Sequence, residues 1–227
     1  MQASSYHFLP LAPLFFMALV FLFVVMMSLT VMGVLGYAYE KMGVSRQHVF
    51  ALLLLSLLGS YVNIPIAELP PEHIRSDIEV SYMGIRYVVP EFHDWHRTIL
   101  AVNVGGALIP TGLSLYLMIK QRLYLLGIAG VVIVATIVHW LARPVQGVGI
   151  AIPTFLPPIA AAVTAVLLSR RMAAPLAYIA GTLGTLIGGD LLNLGLLPGL
   201  GAPVASIGGA GTFDGVFLTG ILAVLLA

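Results

Sequence analysis

LYLLGIAGVVIVATIVHWL, residues Leu123–Leu141, contains no Asp, Glu, Lys or Arg and is long enough to cross a lipid bilayer. A hydrocarbon core about 30 Å thick needs roughly 20 apolar residues in one helix. The whole chain of 227 residues has the same character, because 60% of it is hydrophobic and only 8% is charged. A soluble domain carries about a quarter charged residues, so the composition predicts one polytopic membrane domain over residues 1–227.

Six further apolar stretches flank this one, which predicts an all-α membrane protein of about seven transmembrane helices. Arg143-Pro144 and the glycines that follow break the helical pattern and predict a re-entrant turn after Leu141. In the loop at about 67–97, two β-rich runs on either side of Met83-Gly84 predict a small extracytoplasmic β-hairpin. The predicted spans are Leu11–Tyr37, Val49–Ile66, Thr98–Met118, Leu123–Leu141, Ile152–Leu168, Ala174–Leu194 and about Ser206–Ala227.

The distribution of charge predicts the orientation of the chain. The loop from Glu68 to Arg97 holds six acids against three arginines, so we place it outside the cell. The N-terminus is then outside and the C-terminus is cytoplasmic. A net charge of +1 argues against a nucleic-acid partner, which would need a basic patch. The basic residues of the alternate, cytoplasmic loops are Lys41, Arg46, Lys120, Arg122, Arg170 and Arg171.

Past residue 94 the chain carries only two carboxylates, Asp190 in Gly188-Gly189-Asp190 and Asp214 in Phe213-Asp214-Gly215. Placing an ionisable group in hydrocarbon costs a few kcal/mol or more, so such groups usually face a protein interior or a water-filled cavity. The helical rise places both aspartates in the outer half of the membrane. They are therefore the leading candidates for a functional site. The alternative is that each one caps a helix end near the interface.

Two carboxylates that face each other cannot both ionise, so the pair can act as general acid and base on a water molecule. The leading hypothesis is therefore an intramembrane aspartyl hydrolase, a protease acting on a membrane-protein substrate, with Asp190 and Asp214 as catalytic residues. The same pair could instead bind and release a proton or a cation, as in a small transporter or channel. A third hypothesis is a membrane scaffold without chemistry. No cofactor is predicted, and the expected partner is the lipid bilayer, with a homo-oligomer left open.

Polar and glycine residues near the helix breaks are candidates for lining a substrate or ion path. Asn103 has an alternative role as an interhelical hydrogen-bond donor, and His139 has one as a packing residue that bonds across helices. Arg143 has an alternative role in a salt bridge to either aspartate, which would lower the pKa of that acid. The complete set is Asn63, Asn103, His139, Arg143, Gly189, Asn193, Gly209 and Gly211.

The segment Glu91–His96 is a further cluster of potential metal ligands. His93 and His96 are three residues apart with Asp94 between them, a spacing that a surface zinc ion could use. We favour the alternative, in which Asp94 is the N-cap of the third helix. No metal site is therefore predicted.

Four stretches together resemble a known family. They are AVNVGGALIP (Ala101–Pro110), HWLARPVQGVGIAIPTFLPP (His139–Pro158), GGDLLNL (Gly188–Leu194) and SIGGAGTFDG (Ser206–Gly215). They resemble uncharacterised prokaryotic membrane proteins filed as domain of unknown function 1614, over most of the chain from the second predicted helix onward. The resemblance implies a multi-pass protein of a prokaryotic inner or plasma membrane, and it brings no established activity.

A more limited similarity is to intramembrane aspartyl proteases of the presenilin and prepilin-peptidase type. Those pair an aspartate in Tyr-Asp with one in Gly-x-Gly-Asp on a neighbouring helix. Here Phe213-Asp214 and Gly188-Gly189-Asp190 stand in the corresponding places, but their order is reversed and Ile187 replaces the first glycine. The acids also lie toward the outer side. The similarity implies a carboxylate pair and does not extend to proteolysis.

Overall fold

The computed structural model describes residues 13–31, 33–69, 73–82, 85–94, 98–145, 149–197, 204–209 and 215–227. This part of the chain is mostly helical, and its sheets are small. Its α-helices are α1 (Pro13–Val31), α2 (Val34–Lys41), α3 (Arg46–Gly59), α4 (Ile109–Lys120), α5 (Tyr124–Leu141), α6 (Leu156–Leu168), α7 (Ala173–Thr185) and α8 (Gly215–Leu226).

Helix α7 lies at the centre of the helical bundle. Every side chain from residue 173 to 182 is buried, and α4, α5, α6 and α8 all pack against this helix. Small residues allow this close approach. A Cβ atom at Gly184 would lie 2.7 Å from Cβ of Val134 on α5, and one at Gly130 would lie 3.1 Å from Ala180. The apolar core is therefore built around one helix rather than between two layers.

Two helical stretches in the described residues are long and apolar enough to cross a membrane. One is Tyr124–Leu141, as the sequence predicted, and the other is the 24-residue run Ala173–Leu196 that begins with α7. The shorter apolar helical stretches are Val104–Lys120, Leu156–Leu168 and Gly215–Leu226. Length and composition are thus consistent with membrane association.

The described residues also form three small sheets. Strands β2 (His73–Tyr82) and β3 (Ile85–Asp94) pair in an antiparallel hairpin with Tyr82 opposite Ile85. This confirms the predicted hairpin, although Met83 and Gly84 lie outside the described residues. Strands β5 (Arg143–Val145) and β6 (Gly149–Ala151) form a second hairpin where the sequence predicted a turn. The third sheet has the order β1-β4-β7, from β1 (Asn63–Glu68), β4 (Ile99–Asn103) and β7 (Val204–Ile207).

This three-stranded sheet corrects three predicted helices. The spans Val49–Ile66, Thr98–Met118 and Ser206–Ala227 each overlap one of its strands, so they are not continuous helices. The strands are rich in β-branched residues, which favour extended backbone. Pro65 has no N–H to donate, and it lies in β1, at the edge of the sheet next to an irregularity in pairing. The prediction treated these segments as helical because they are apolar, and it gave no weight to their β-branched residues.

Two further boundaries differ from the prediction because of glycine and proline. The first predicted helix is divided into α1 and α2, and Gly33 between them has φ +79, in the left-handed region. The fifth begins at Leu156 rather than Ile152, with Pro157 and Pro158 buried in its first turn. Proline is tolerated there because the first N–H groups of a helix have no intrahelical partner.

Candidate functional site

Asp190 lies where the central helix changes its winding. Helix α7 continues without a break into a π-helical turn, Leu186–Asp190, and then a 3₁₀ segment, Leu191–Leu196. Such turns leave carbonyl groups without their usual partners and often mark functional sites. The amide nitrogen Nδ2 of Asn193 donates to the carbonyls of Gly188 and Gly189, at 2.8 and 2.9 Å. Asn193 is buried and stabilises the irregular turn that ends at Asp190.

The Asp190 carboxylate binds the backbone of a distant segment. Its Oδ2 accepts a hydrogen bond of 2.7 Å from the backbone N–H of Gly208, directly after β7. Gly208 and Gly209 have φ values of +82 and +98, so both lie in the left-handed region that favours glycine. A Cβ atom at Gly208 would lie 2.6 Å from Cβ of Ala107. The fold therefore holds one oxygen of the partly buried Asp190 carboxylate against the glycine-containing segment that follows β7.

A second π-helical turn, Val104–Leu108, follows β4 and leads into α4. Its Ala107 packs in one apolar cluster with Leu186 of the π-helical turn that ends at Asp190, with Ile207 of β7 and with Val216 of α8. The two irregular turns thus meet at the end of the same strand. We call residues 104–108, 186–190 and 204–209 the glycine junction.

Asn103 organises the entry to this junction. It is 1% exposed, and its Oδ1 accepts from the Gly106 N–H at 2.8 Å, which makes it the N-cap of the helical stretch. Its Nδ2 donates to the Ser60 carbonyl at 2.7 Å and to Asn63 Oδ1 at 3.1 Å. Ser206 Oγ on β7 donates to the same Asn63 oxygen at 2.6 Å. Asn63, Asn103 and Ser206 therefore link β1, β4 and β7 through side chains as well as backbone.

A stripe of buried hydroxyl groups runs along α7 toward Asp190. Tyr178, Thr182 and Thr185 are spaced by four and three residues, so they lie on one helix face. All three are buried, and Tyr39 of α2 is buried in the same core cluster as Tyr178. The hydroxyls of Tyr39 and Thr185 form no hydrogen bond with any described residue, whereas the Thr182 hydroxyl interacts with the hydroxyl of Tyr178 one turn earlier. We did not predict these residues, although the polar spacing within an apolar helix was present in the sequence.

Other predicted site residues lie apart from Asp190 or outside the description. His139 and Arg143, at the end of α5 and in β5, are exposed, and Arg143 makes no ion pair with Asp190. Asp214 and Gly211 lie outside the described residues. The spatial relation between the two aspartates therefore stays a prediction. Asn63, Asn103, Gly189, Asn193 and Gly209 all lie in or beside the glycine junction.

The predicted N-cap role of Asp94 is wrong. Asp94 ends β3, and the next helical stretch begins only at Val104, after β4. Asn103 takes the capping position instead, because the apolar segment before it is extended. His93 lies in β3, and His96 lies outside the described residues. The described part of the chain holds no group of three or more potential metal ligands.

Comparison with known proteins assigns the family of this chain. It belongs to the family described as protein of unknown function (DUF1614), whose model matches residues 57–226. The match begins within α3 and includes the glycine junction and the whole of α7. The chain has no significant match among curated proteins or among solved structures.

Proposed function

We propose that this chain is an integral membrane protein that binds a proton or a small cation at Asp190 and moves it along the central helix. The observation that carries the proposal is the stripe of buried hydroxyls on α7, which leads from Tyr178 toward Asp190. Asp190 is twelve positions after Tyr178, which at 1.5 Å per residue corresponds to about 18 Å, more than half of a hydrocarbon core. An aspartyl hydrolase is the second candidate.

The outer surface of the bundle supports the membrane part of the proposal. One face of α5 is buried, yet the opposite face is equally apolar, with Leu125 84% and Trp140 82% exposed. A helix that is apolar all round and packed on one side only is typical of contact with lipid. The exposed large side chains of this helix are Tyr124, Leu125, Leu126, Ile128, Val132, Ile133, Ile137 and Trp140.

We further propose about seven crossings, three of which combine a helix with a strand. In this arrangement α3 continues into β1, β4 leads into α4, and β7 precedes α8. Non-helical backbone is tolerated at membrane depth when its polar groups are satisfied within the protein. The pairing of β1, β4 and β7 satisfies β4 on both sides and β1 and β7 on one side each. The alternation of basic loops supports an extracytoplasmic β2–β3 hairpin and a cytoplasmic C-terminus in a prokaryotic plasma membrane.

The hydroxyls of Thr182 and Thr185 on α7 differ from several other helical hydroxyls of this chain. Ser or Thr in a helix commonly bonds to the carbonyl four residues earlier. Ser28, Ser60, Ser114 and Thr136 all do so, at 2.7 to 2.9 Å. Thr182 and Thr185 do not, although both are buried. Leaving a buried hydroxyl unpaired costs about 1 to 3 kcal/mol, which favours an additional partner such as water or a cation.

The proton or cation site itself would combine Asp190 with the irregular turn. Intramembrane carboxylates commonly serve as proton or ion sites. Broken helices in transporters supply backbone carbonyls for the same purpose. Asp190 uses Oδ2 to bind Gly208, and its second oxygen has no recorded hydrogen bond to a described residue. That oxygen is the one we assign to the moving ion.

Flux across proteoliposomes tests the proposal. The purified chain is reconstituted, and an internal pH dye reports proton flux under an imposed potential, with Na⁺ and K⁺ gradients tested in parallel. Asp190→Asn keeps an acceptor for the Gly208 N–H, so the fold should persist while flux falls at least about tenfold, equivalent to 1.4 kcal/mol in the barrier. Wild-type flux in this variant would overturn the proposal.

Thr182→Val and Thr185→Val test the stripe separately. Each removes a hydroxyl with little change in volume, and each should lower flux without changing the direction of transport. Thr136→Val on α5 is the matched control, since that hydroxyl is exposed and bonded to the Val132 carbonyl. If all three valine variants behave alike, the stripe is not a pathway.

The hydrolase remains a second candidate because of β7. This strand pairs with β4 on one side only among the described residues, and it ends beside the Gly208–Asp190 hydrogen bond. An extended peptide could add to such an edge and pass Asp190. Water activation would then require Asp214 as the second carboxylate. Cleavage of a membrane-protein substrate that both Asp190→Asn and Asp214→Asn abolish, with no flux in wild type, would favour this candidate over transport.

A further inference from the structure

A cavity of about 750 Å³ lies between α3 and α4, and none of its lining residues belongs to the glycine junction. On α3 its wall is formed by residues 48, 51, 52 and 55, and on α4 by residues 109, 112, 113, 116 and 120. Each set follows the spacing of one helix face, so the cavity is a groove along both helices. Neither set belongs to the Asp190 site.

The two ends of this groove differ in polarity. His48 and Lys120 lie at one end, together with Ser45 and Glu40, whereas Leu55 and Ile109 line the other end. The twelve residues from Ile109 to Lys120 span about 16 Å, which is close to half of a hydrocarbon core about 30 Å thick. The groove therefore has the length and polarity of one lipid leaflet.

The two charged side chains at the polar end, Lys120 and Glu40, form no ion pair with a described residue. Lys120 Nζ donates to the Gly43 carbonyl at 2.8 Å and lies 5.2 Å from the centroid of the Tyr116 ring. An ammonium group has three N–H donors, so two remain for another acceptor. Glu40 is exposed at the same mouth and forms no ion pair with a described residue. One cation and one anion thus face the same opening.

We propose that this groove binds a single phospholipid with a phosphoethanolamine headgroup. Lys120 contacts the phosphate, with His48 beside it, and Glu40 accepts hydrogen bonds from the primary ammonium of the lipid. One acyl chain lies along Leu52, Leu55 and Leu113. This inference rests on the proposed membrane insertion but not on ion movement, so the two can fail separately.

Gly112 provides the test of the groove. It lies in the wall, and a Cβ atom there would meet no other atom within 4 Å. Gly112→Leu should therefore fill the groove without disturbing the helix. Native mass spectrometry of the protein from nanodiscs should then show retained phosphatidylethanolamine reduced about tenfold or more, a change of 1.4 kcal/mol.

The matched control is Gly195→Leu. Gly195 also has no atom near a Cβ position, but it lies in the 3₁₀ segment after Asp190 and outside the groove. This variant should retain lipid as wild type does. Equal retention in Gly112→Leu and wild type would overturn the proposal, as would an equal loss in both glycine variants.

Competition between lipids tests the headgroup. Nanodiscs with equal amounts of phosphatidylethanolamine, phosphatidylcholine and phosphatidylglycerol should yield protein that retains the first. Lys120→Gln should lower retention of every phospholipid, while Glu40→Gln should remove the preference for phosphatidylethanolamine over phosphatidylglycerol. Wild-type retention without any headgroup preference would overturn the assignment. Asp190→Asn should retain lipid normally, which separates this result from failure of the transport proposal.

Discussion

A single amide side chain, Asn103, connects three parts of the chain at the residue scale. Its oxygen caps the helical stretch that starts at Val104, and its nitrogen reaches the end of α3 and the side chain of Asn63. Because Asn103, Ser60 and Gly106 are buried, the Ser60 carbonyl and the Gly106 N–H cannot turn to water if the amide is lost. Its local and long-range contacts therefore act together.

We expect Asn103→Ala to lower the free energy of unfolding by about 2 to 3 kcal/mol, from the lost cap and the unpaired buried groups. Denaturant-induced unfolding in detergent micelles measures this. Ser114→Ala is a suitable control, because Ser114 is equally buried but bonds only to Pro110 on its own helix. A similar cost for both variants would contradict a linking role for Asn103.

Glycine contacts set the spacing of the elements. Helix α5 and the continuation of α7 meet at Gly188, where a Cβ atom would lie 2.2 Å from the Ala135 carbonyl oxygen. Backbone this close cannot accommodate a methyl group without moving a helix. The position of Asp190, two residues later, therefore depends on glycine at 188.

Gly188→Ala should destabilise the fold by about 1 to 3 kcal/mol, because the added methyl group would push α5 and the π-helical turn apart. It should also reduce ion flux, since Asp190 moves with the turn. The melting temperature and the flux assay give the two measurements. Gly195→Ala, where there is space for a methyl group, should leave both unchanged. An unaltered melting temperature in Gly188→Ala would show that the contact is not needed.

The sequence predicted the helical elements better than the strands between them. Helix α5 and the β2–β3 hairpin were clear, because one is uniformly apolar and the other combines β-rich runs with a turn. Strands β1, β4 and β7 were not, since short and largely apolar runs of four to six residues have no period that separates strand from helix. Their pairing also joins segments far apart in the chain, such as Ala101 with Ser206.

At the candidate site, too, the sequence predicted the local features but not the long-range contacts. Asp190 was singled out because a carboxylate in apolar sequence is conspicuous, and its glycine neighbours predicted irregular backbone. Its hydrogen bond to Gly208 could not be predicted, because it depends on how β7 lies beside β4. Thr182 and Thr185 were missed because threonine in an apolar helix usually bonds to its own backbone. Only the structure distinguishes them from Thr136.

At the scale of the whole molecule, β4 and β7 suggest an internal correspondence. The two strands are parallel, and each is followed by Gly-Gly-Ala and then a helix, α4 or α8. The similarity covers only a few residues, so it is not visible as a sequence repeat. Parallel strands place both helix entries at the same end of the sheet, which concentrates glycine, Asn103 and Asp190 there.

The proposed membrane orientation can be tested directly because the chain contains no cysteine, so single cysteines can be introduced without background. Ser81→Cys in β2 and Val145→Cys in β5 should react with an impermeant maleimide added outside intact cells. Arg171→Cys, at an exposed position between α6 and α7, should react only after the membrane is opened. The basis is the distribution of Lys and Arg, which places alternate loops in the cytoplasm. Labelling of Arg171→Cys from outside would reverse the topology, and would place the polar end of the groove between α3 and α4, at Lys120, on the outer side of the membrane.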